Sequence, residues 1–205
     1  MDPEHTALVL IGYQNDYFAA SGVLRQVIEE SARATGTLAN TVDLLQRVSA
    51  TSILIVATPI VFTSDYRELI EPVGILKTVK EVGAFRAETQ GAETIPELLR
   101  FGPRITEVAG KRGLNAFSNT DLDTLLHSRG IRHVILAGVV TSVCVDSTAR
   151  AAYERGYKVT ILSDCTSGCT SFEQDFYCQQ IFPLYAEVID HVKLLERLEL
   201  AHDRR

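Results

Sequence analysis

His133-Val134-Ile135-Leu136-Ala137-Gly138-Val139-Val140-Thr141-Ser142-Val143-Cys144-Val145-Asp146-Ser147-Thr148-Ala149-Arg150 decides how this chain folds. Its first half is a Val/Ile/Leu run closed by glycine, the pattern of a parallel strand covered on both faces. Its second half changes to helical spacing, so a strand, a sharp turn and a helix follow one another. Cys144 falls where the helix starts. There, backbone N–H groups without an intrahelical partner and the positive end of the macrodipole favour a thiolate. A buried cysteine is also a common small core residue, so position alone does not make it a nucleophile.

Working outward, Thr6-Ala7-Leu8-Val9-Leu10-Ile11 is a second continuous apolar run, closed by Gly12, and reads as the first, central strand. Residues 52–59, ending at Pro59, read as strand two, and residues 105–110 as strand three, with Lys111 at its carboxyl end. Residues 158–162 and 186–189 supply strands five and six. Between them lie amphipathic helices: residues 31–50, a helix capped by Asn119 or Thr120 and running to Ser128, the Cys144 helix ending at Gly156, residues 171–182 and residues 191–200. Residues 71–94 are rich in glycine and mixed charge and read as an irregular lid crossed by short helices. The alternation predicts an α/β fold: a single doubly wound, Rossmann-like, mostly parallel six-stranded sheet with helices on both faces. Gly12, Lys111 and the Gly138–Cys144 turn then sit at carboxyl ends of strands, where open parallel sheets bind ligands.

The 205 residues fit one domain spanning 1–205, long enough to bury a core without disulfides or metals. A formal charge of −6 with interspersed signs lacks the basic face that nucleic acid requires. No apolar run is long enough to cross a bilayer, and Met1-Asp2-Pro3-Glu4-His5 is not the start of a signal peptide, so a cytoplasmic protein without a membrane partner is expected. Cys144, Cys165, Cys169 and Cys178 read as thiols, and the last three match no zinc spacing.

The segment Gly138 to Arg150 resembles the nucleophile motif of the isochorismatase-like cysteine hydrolases, the family of nicotinamidases and N-carbamoylsarcosine amidase. The resemblance implies that Cys144 attacks an amide-type carbonyl. It further implies a cis peptide between Val139 and Val140, and an oxyanion hole made by the N–H groups of Val140 and Cys144. Ile11-Gly12-Tyr13-Gln14-Asn15-Asp16-Tyr17 resembles the family's opening signature, in which an aspartate precedes one variable residue and then Gln-Asn-Asp-Phe. Here Gly12 occupies the position of the catalytic aspartate, and Tyr17 replaces the phenylalanine. Asp16 is the nearest spare carboxylate, either a substitute base or a loop-capping residue.

Lys111-Arg112-Gly113-Leu114-Asn115-Ala116-Phe117-Ser118-Asn119-Thr120-Asp121-Leu122 resembles the family's lysine motif. An ammonium beside Cys144 favours the thiolate and stabilises charge developing on a substrate. With glycine at position 12, Lys111 itself becomes a candidate for exchanging protons with Cys144. Tyr17, Phe85, Arg86 and Gln90 are the candidate substrate contacts, the last three because lid loops set substrate choice. Nicotinamidases carry metal-binding histidines after the second strand. Residues 60–68 contain none, so neither a metal nor another cofactor is expected.

The leading expectation is a metal-independent cysteine hydrolase that cleaves the C–N bond of a small amide or carbamoyl compound through an acyl-enzyme, weakened or inactivated if nothing replaces the base. Two alternatives stand beside it. One is a non-catalytic relative binding a small molecule or a protein. The other is an isochorismatase-type vinyl ether hydrolase, whose members keep the aspartate and lack the cysteine. The resemblance also implies a homodimer or homotetramer.

Overall fold

Strands β1 (Thr6–Ile11), β2 (Leu54–Thr58), β3 (Ile105–Glu107), β4 (His133–Val139), β5 (Lys158–Ser167) and β6 (Glu187–Ile189) form one sheet in the order β3-β2-β1-β4-β5-β6. Every neighbouring pair is parallel. The structure, a computed structural model, describes residues 1–202. Its helices are α1 (Asn15–Phe18), α2 (Arg25–Thr35), α3 (Thr37–Val48), α4 (Gly74–Val82), α5 (Pro96–Leu99), α6 (Leu122–Ser128), α7 (Asp146–Glu154), α8 (Ser171–Phe176) and α9 (His191–His202). Among the described residues, no helix is long and apolar enough to cross a membrane.

The continuous apolar runs of β1 and β4 follow from burial on both faces. Side chains alternate across the sheet, and Ala7, Val9 and Ile11 pack with Leu122 and Leu126 of α6 and Ala149 and Ala152 of α7. Leu8 and Leu10 point the other way, onto Leu44 and Leu45 of α3 and Leu194 and Leu195 of α9. Each buried aliphatic side chain contributes about 1.5–3 kcal/mol, so neither face tolerates polar alternation. The chain leaves β1 toward β2 and β3 on one side and later returns through β4 to β6 on the other. The connections therefore diverge between the carboxyl ends of β1 and β4, which opens a crevice there.

His133 opens β4 opposite Thr6 and lies buried, with its Nε2 2.8 Å from Thr160 Oγ1. Burial, followed by the positive charge of Lys158, pushes its imidazole down to about 4 from the ordinary 6.5. The folded protein thus holds this histidine neutral where the unfolded chain would bind a proton. Stability is complete above about pH 6.5 and falls as pH drops toward 4, by up to about 3 kcal/mol from this group. Urea denaturation at stepped pH should show that slope in the wild type, and His133→Gln should flatten it.

Several elements differ from the sequence reading. The helix expected over residues 31–50 is two helices, α2 and α3, separated by Gly36 in the left-handed conformation at φ +70°. The third strand stops at Glu107 rather than reaching Gly110. Strand five, expected to end at Leu162, continues to Ser167 after a register irregularity against β4. Its polar continuation, half-buried at Ser163 and Asp164 and buried from Cys165 to Ser167, is held where Thr37 pairs with the Ser167 hydroxyl and donates to the Thr166 carbonyl, while Asn40 donates to the Asp164 carbonyl. The helix expected to be capped by Asn119 or Thr120 begins at Leu122 with Asp121 before it, although the Thr120 hydroxyl does accept from Leu122 N at 3.3 Å. The helix expected over 171–182 ends at Phe176 and passes into a wide turn over Tyr177–Ile181.

Candidate active site

Cys144 sits in a wide helical turn, Thr141–Val145, that links β4 to α7. Two backbone bonds in it span five residues, Val145 N to Val140 O at 3.1 Å and Asp146 N to Thr141 O. Such one-residue expansions of a helix re-aim side chains and recur at functional sites. The expected regular helix start is therefore an expanded one. It presents Cys144, 7 % exposed, to the crevice beyond β1 and β4. The Val139–Val140 peptide just before it is cis.

Lys111 is 1 % exposed. Its Nζ lies 3.6 Å from Cys144 Sγ and donates to the Gly113 carbonyl at 2.7 Å. Its backbone is fixed where Val61 N donates to the Lys111 carbonyl at 3.2 Å, extending the β2 edge by one bridge. Ala116 N, donating to Thr148 Oγ1 at 3.1 Å, ties the loop after Lys111 to α7. None of the ion pairs among the described residues includes Lys111.

Gly12 lines the same cavity at the end of β1. Its φ is +72°, and a Cβ there would meet the Val139 carbonyl oxygen at 2.9 Å and Val139 Cγ2 at 3.0 Å. An aspartate cannot be added without moving Val139 and holding a left-handed backbone. Gly12→Asp is expected to lose roughly 1–3 kcal/mol of stability and to leave turnover no higher than wild type. Parallel urea melts and activity assays check both.

The residues that follow Gly12 work as a clasp. Gln14 donates to the carbonyls of Ile60 (2.9 Å) and Ala92 (2.7 Å) and accepts from Ile60 N (2.9 Å). Asn15 donates to the Gln90 carbonyl at 2.8 Å, and the Asp16 carboxylate accepts from Phe85 N at 2.6 Å. Asp16 thus holds the loop and does not line the cavity. The clasp also sorts the predicted substrate contacts. Phe85 and Tyr17 both face the cavity, their ring centroids 5.1 Å apart. Arg86 and Gln90 are exposed and lie outside its lining, and Gln90 engages Asn15 through its backbone carbonyl. Burial, together with the neighbouring Cys144, Cys169 and Asp16 groups, pushes the Tyr17 hydroxyl well above its ordinary value, so it enters as a neutral O–H.

The remaining wall was not foreseen from sequence. Ile75, Leu76 and Val79 come from α4, with Ile60 and Leu114 beside them. Only the helical spacing of 75, 76 and 79 hinted at it. Elsewhere, Asp164, Cys165 and His191 place potential metal-ligating atoms within 4.8 Å of one another. They lie outside this cavity, and Asp164 already accepts from His191 N at 2.9 Å and pairs with its ring.

A family model described as the isochorismatase domain matches residues 6–192. The chain is 31 % identical over 180 residues to a ureidoacrylate amidohydrolase, RutB, of Enterobacter sp. (strain 638), covering 80 % of this chain and 76 % of that protein. Among solved structures, a cysteine hydrolase from Pseudomonas syringae pv. phaseolicola superposes with a TM-score of 0.86 at 23 % identity, covering 98 % and 95 % of the two chains. N-carbamoylsarcosine amidase from Thermoplasma acidophilum superposes with a TM-score of 0.68 at 21 % identity, covering 91 % and 96 %. These two likenesses establish the six-stranded parallel fold. With the family model spanning all six strands, the family resemblance read from the sequence holds, and the chain belongs to the isochorismatase domain family.

Proposed function

We propose that this protein is an amidohydrolase that cleaves a C–N bond in a small molecule, with Cys144 as nucleophile and Lys111 as its proton partner. The observation that carries the reading is the 3.6 Å approach of a buried ammonium to a cavity-facing thiol. The RutB and N-carbamoylsarcosine amidase relatives, named for non-peptide amide hydrolysis, support the reaction class.

In this reading a thiolate–ammonium pair attacks the carbonyl carbon. The carbonyl electron pair moves to oxygen, held by the N–H groups of Val140 and Cys144. Collapse of the tetrahedral intermediate expels the amine, which takes a proton from Lys111 and leaves a thioester and a neutral lysine. Water then adds to the thioester and gives its proton to Lys111, so that expulsion of the thiolate restores the starting pair. No carboxylate is required, which answers the glycine at the position of the family's aspartate.

The test is intact-mass spectrometry after rapid mixing with a p-nitrophenyl ester of a short aliphatic acid. An acyl increment mapped to Cys144, decaying with turnover, is the expected result. An inert thiol would sink the hydrolase reading and favour the second one, a binding protein, which the absence of a carboxylate from the cavity lining supports.

A further inference from the structure

The chemistry of the cavity wall carries a statement about substrate that the reaction class does not. Apart from Cys144, Lys111 and the Tyr17 hydroxyl, the side chains that line the space are hydrocarbon: Ile60, Ile75, Leu76, Val79, Phe85 and Leu114, with Val139 at the floor. Val79 and Phe85 are buried, while Ile75, Leu76 and Leu114 are partly exposed around the mouth. A ligand that covers those rim side chains gains their removal from water, and a hydrocarbon substituent gains it without leaving an unpaired polar group.

The cations near the cavity are committed elsewhere. The Lys111 ammonium is shared between the Gly113 carbonyl and Cys144. Arg112 pairs with Glu68 at 3.1 Å, and Arg86 is exposed and outside the lining. A carboxylate on the acyl group would therefore enter an apolar pocket without a partner, in a protein whose formal charge is −6. The enclosed space is narrow, about 10 Å³, which restricts the ligand to a compact one.

Resting on the amidohydrolase reading, we infer that the substrate is a compact amide of an uncharged aliphatic or aromatic acid, its hydrocarbon part seated against α4 and Phe85. Carboxylated amides are rejected. Ile75, Leu76 and Leu114 set this preference at the rim, and Val79 and Phe85 set it at depth.

The experiment compares 4-methylpentanamide with succinamate, which have nearly the same shape but differ in a terminal carboxylate. Ammonia release should give the neutral amide a kcat/KM at least ~100-fold higher. Leu114→Arg, which adds a cation at the partly exposed rim, should narrow that ratio at least ~10-fold, chiefly through KM for succinamate. Both amides are also tested for protecting Cys144 from iodoacetamide, mapped by peptide mass spectrometry. If neither turns over but the neutral amide protects at the lower concentration, hydrolysis is refuted and the ligand class stands. Equal or better use of succinamate, equal or better protection by it, or protection by neither up to the solubility limit, overturns the inference.

Discussion

Gly138→Ala is expected to prevent the protein from folding to a soluble, cooperatively melting state, although it adds one methyl group. Gly138 pairs with Ile11 in the register of the two central strands. At its φ of +131°, a Cβ would fall 1.9 Å from the Ile11 carbonyl oxygen and 2.7 Å from the carbonyl carbon. Both are backbone atoms of a fully buried strand, so no side chain can swing aside. The loss should reach at least about 4 kcal/mol, the range reserved for core strain of this kind. Gly156→Ala is the matched control: its φ of +86° is also unusual for an L-residue, but nothing lies within 4 Å of the added carbon. That variant should lose only about 1 kcal/mol. Urea melts of the two separate steric conflict from backbone preference; similar midpoints would show that the β1–β4 approach is not as tight as described.

Lys111→Met is expected to abolish most turnover while leaving stability unchanged or improved. Methionine fills a similar volume in the apolar wall. It also removes a buried ammonium that has a carbonyl and a sulfur as partners and no carboxylate. Replacing a buried charge by a hydrophobe of similar size is often neutral or stabilising, and residues kept for chemistry commonly carry a stability penalty. Loss of proton transfer should lower kcat by about 10²–10⁴-fold. Cys144→Ala should remove the acyl-enzyme route altogether, and adding Lys111→Met to it should cost nothing further, because the two groups act as a unit. A Lys111→Met enzyme with unchanged kcat, or a double variant slower than Cys144→Ala by the full single-variant factor, would show that the lysine acts independently of the thiol.

How much of this was readable in the chain depends on what each residue faces. β1 and β4 were legible because both faces of each are buried, which writes a continuous apolar run. Gly12, Lys111 and Cys144 were legible as strand-end residues within long motifs, and the structure gathers all three around one cavity. The outer half of β5 was not. Ser163, Asp164, Thr166 and Ser167 have loop-like polarity, and side chains distant in sequence hold the stretch in the sheet: Thr35, Thr37 and Asn40 of α2 and α3 bond Ser167, Thr166 and Asp164, and Gln174 of α8 bonds Ser163 and Thr166. The break at Gly36 was hidden because the helical spacing rested on Leu38, Val42, Leu45 and Val48, all of them after it. Phe85 was separable from Arg86 and Gln90 only through the clasp of Gln14, Asn15 and Asp16. Those hydrogen bonds join residues far apart in the sequence, and no local pattern encodes them.

The five-residue span of the Val140–Val145 bond has a developmental reading as well as a chemical one. An α-helix advances roughly 100° per residue, so shortening the turn by one position would rotate Cys144 off the crevice and bring a neighbouring side chain into line with Lys111. A single codon gained or lost in this part of the gene therefore acts as a switch of chemistry rather than a gradual adjustment. Ancestral chains on either side of such an event would share a scaffold yet offer different atoms to the same guest.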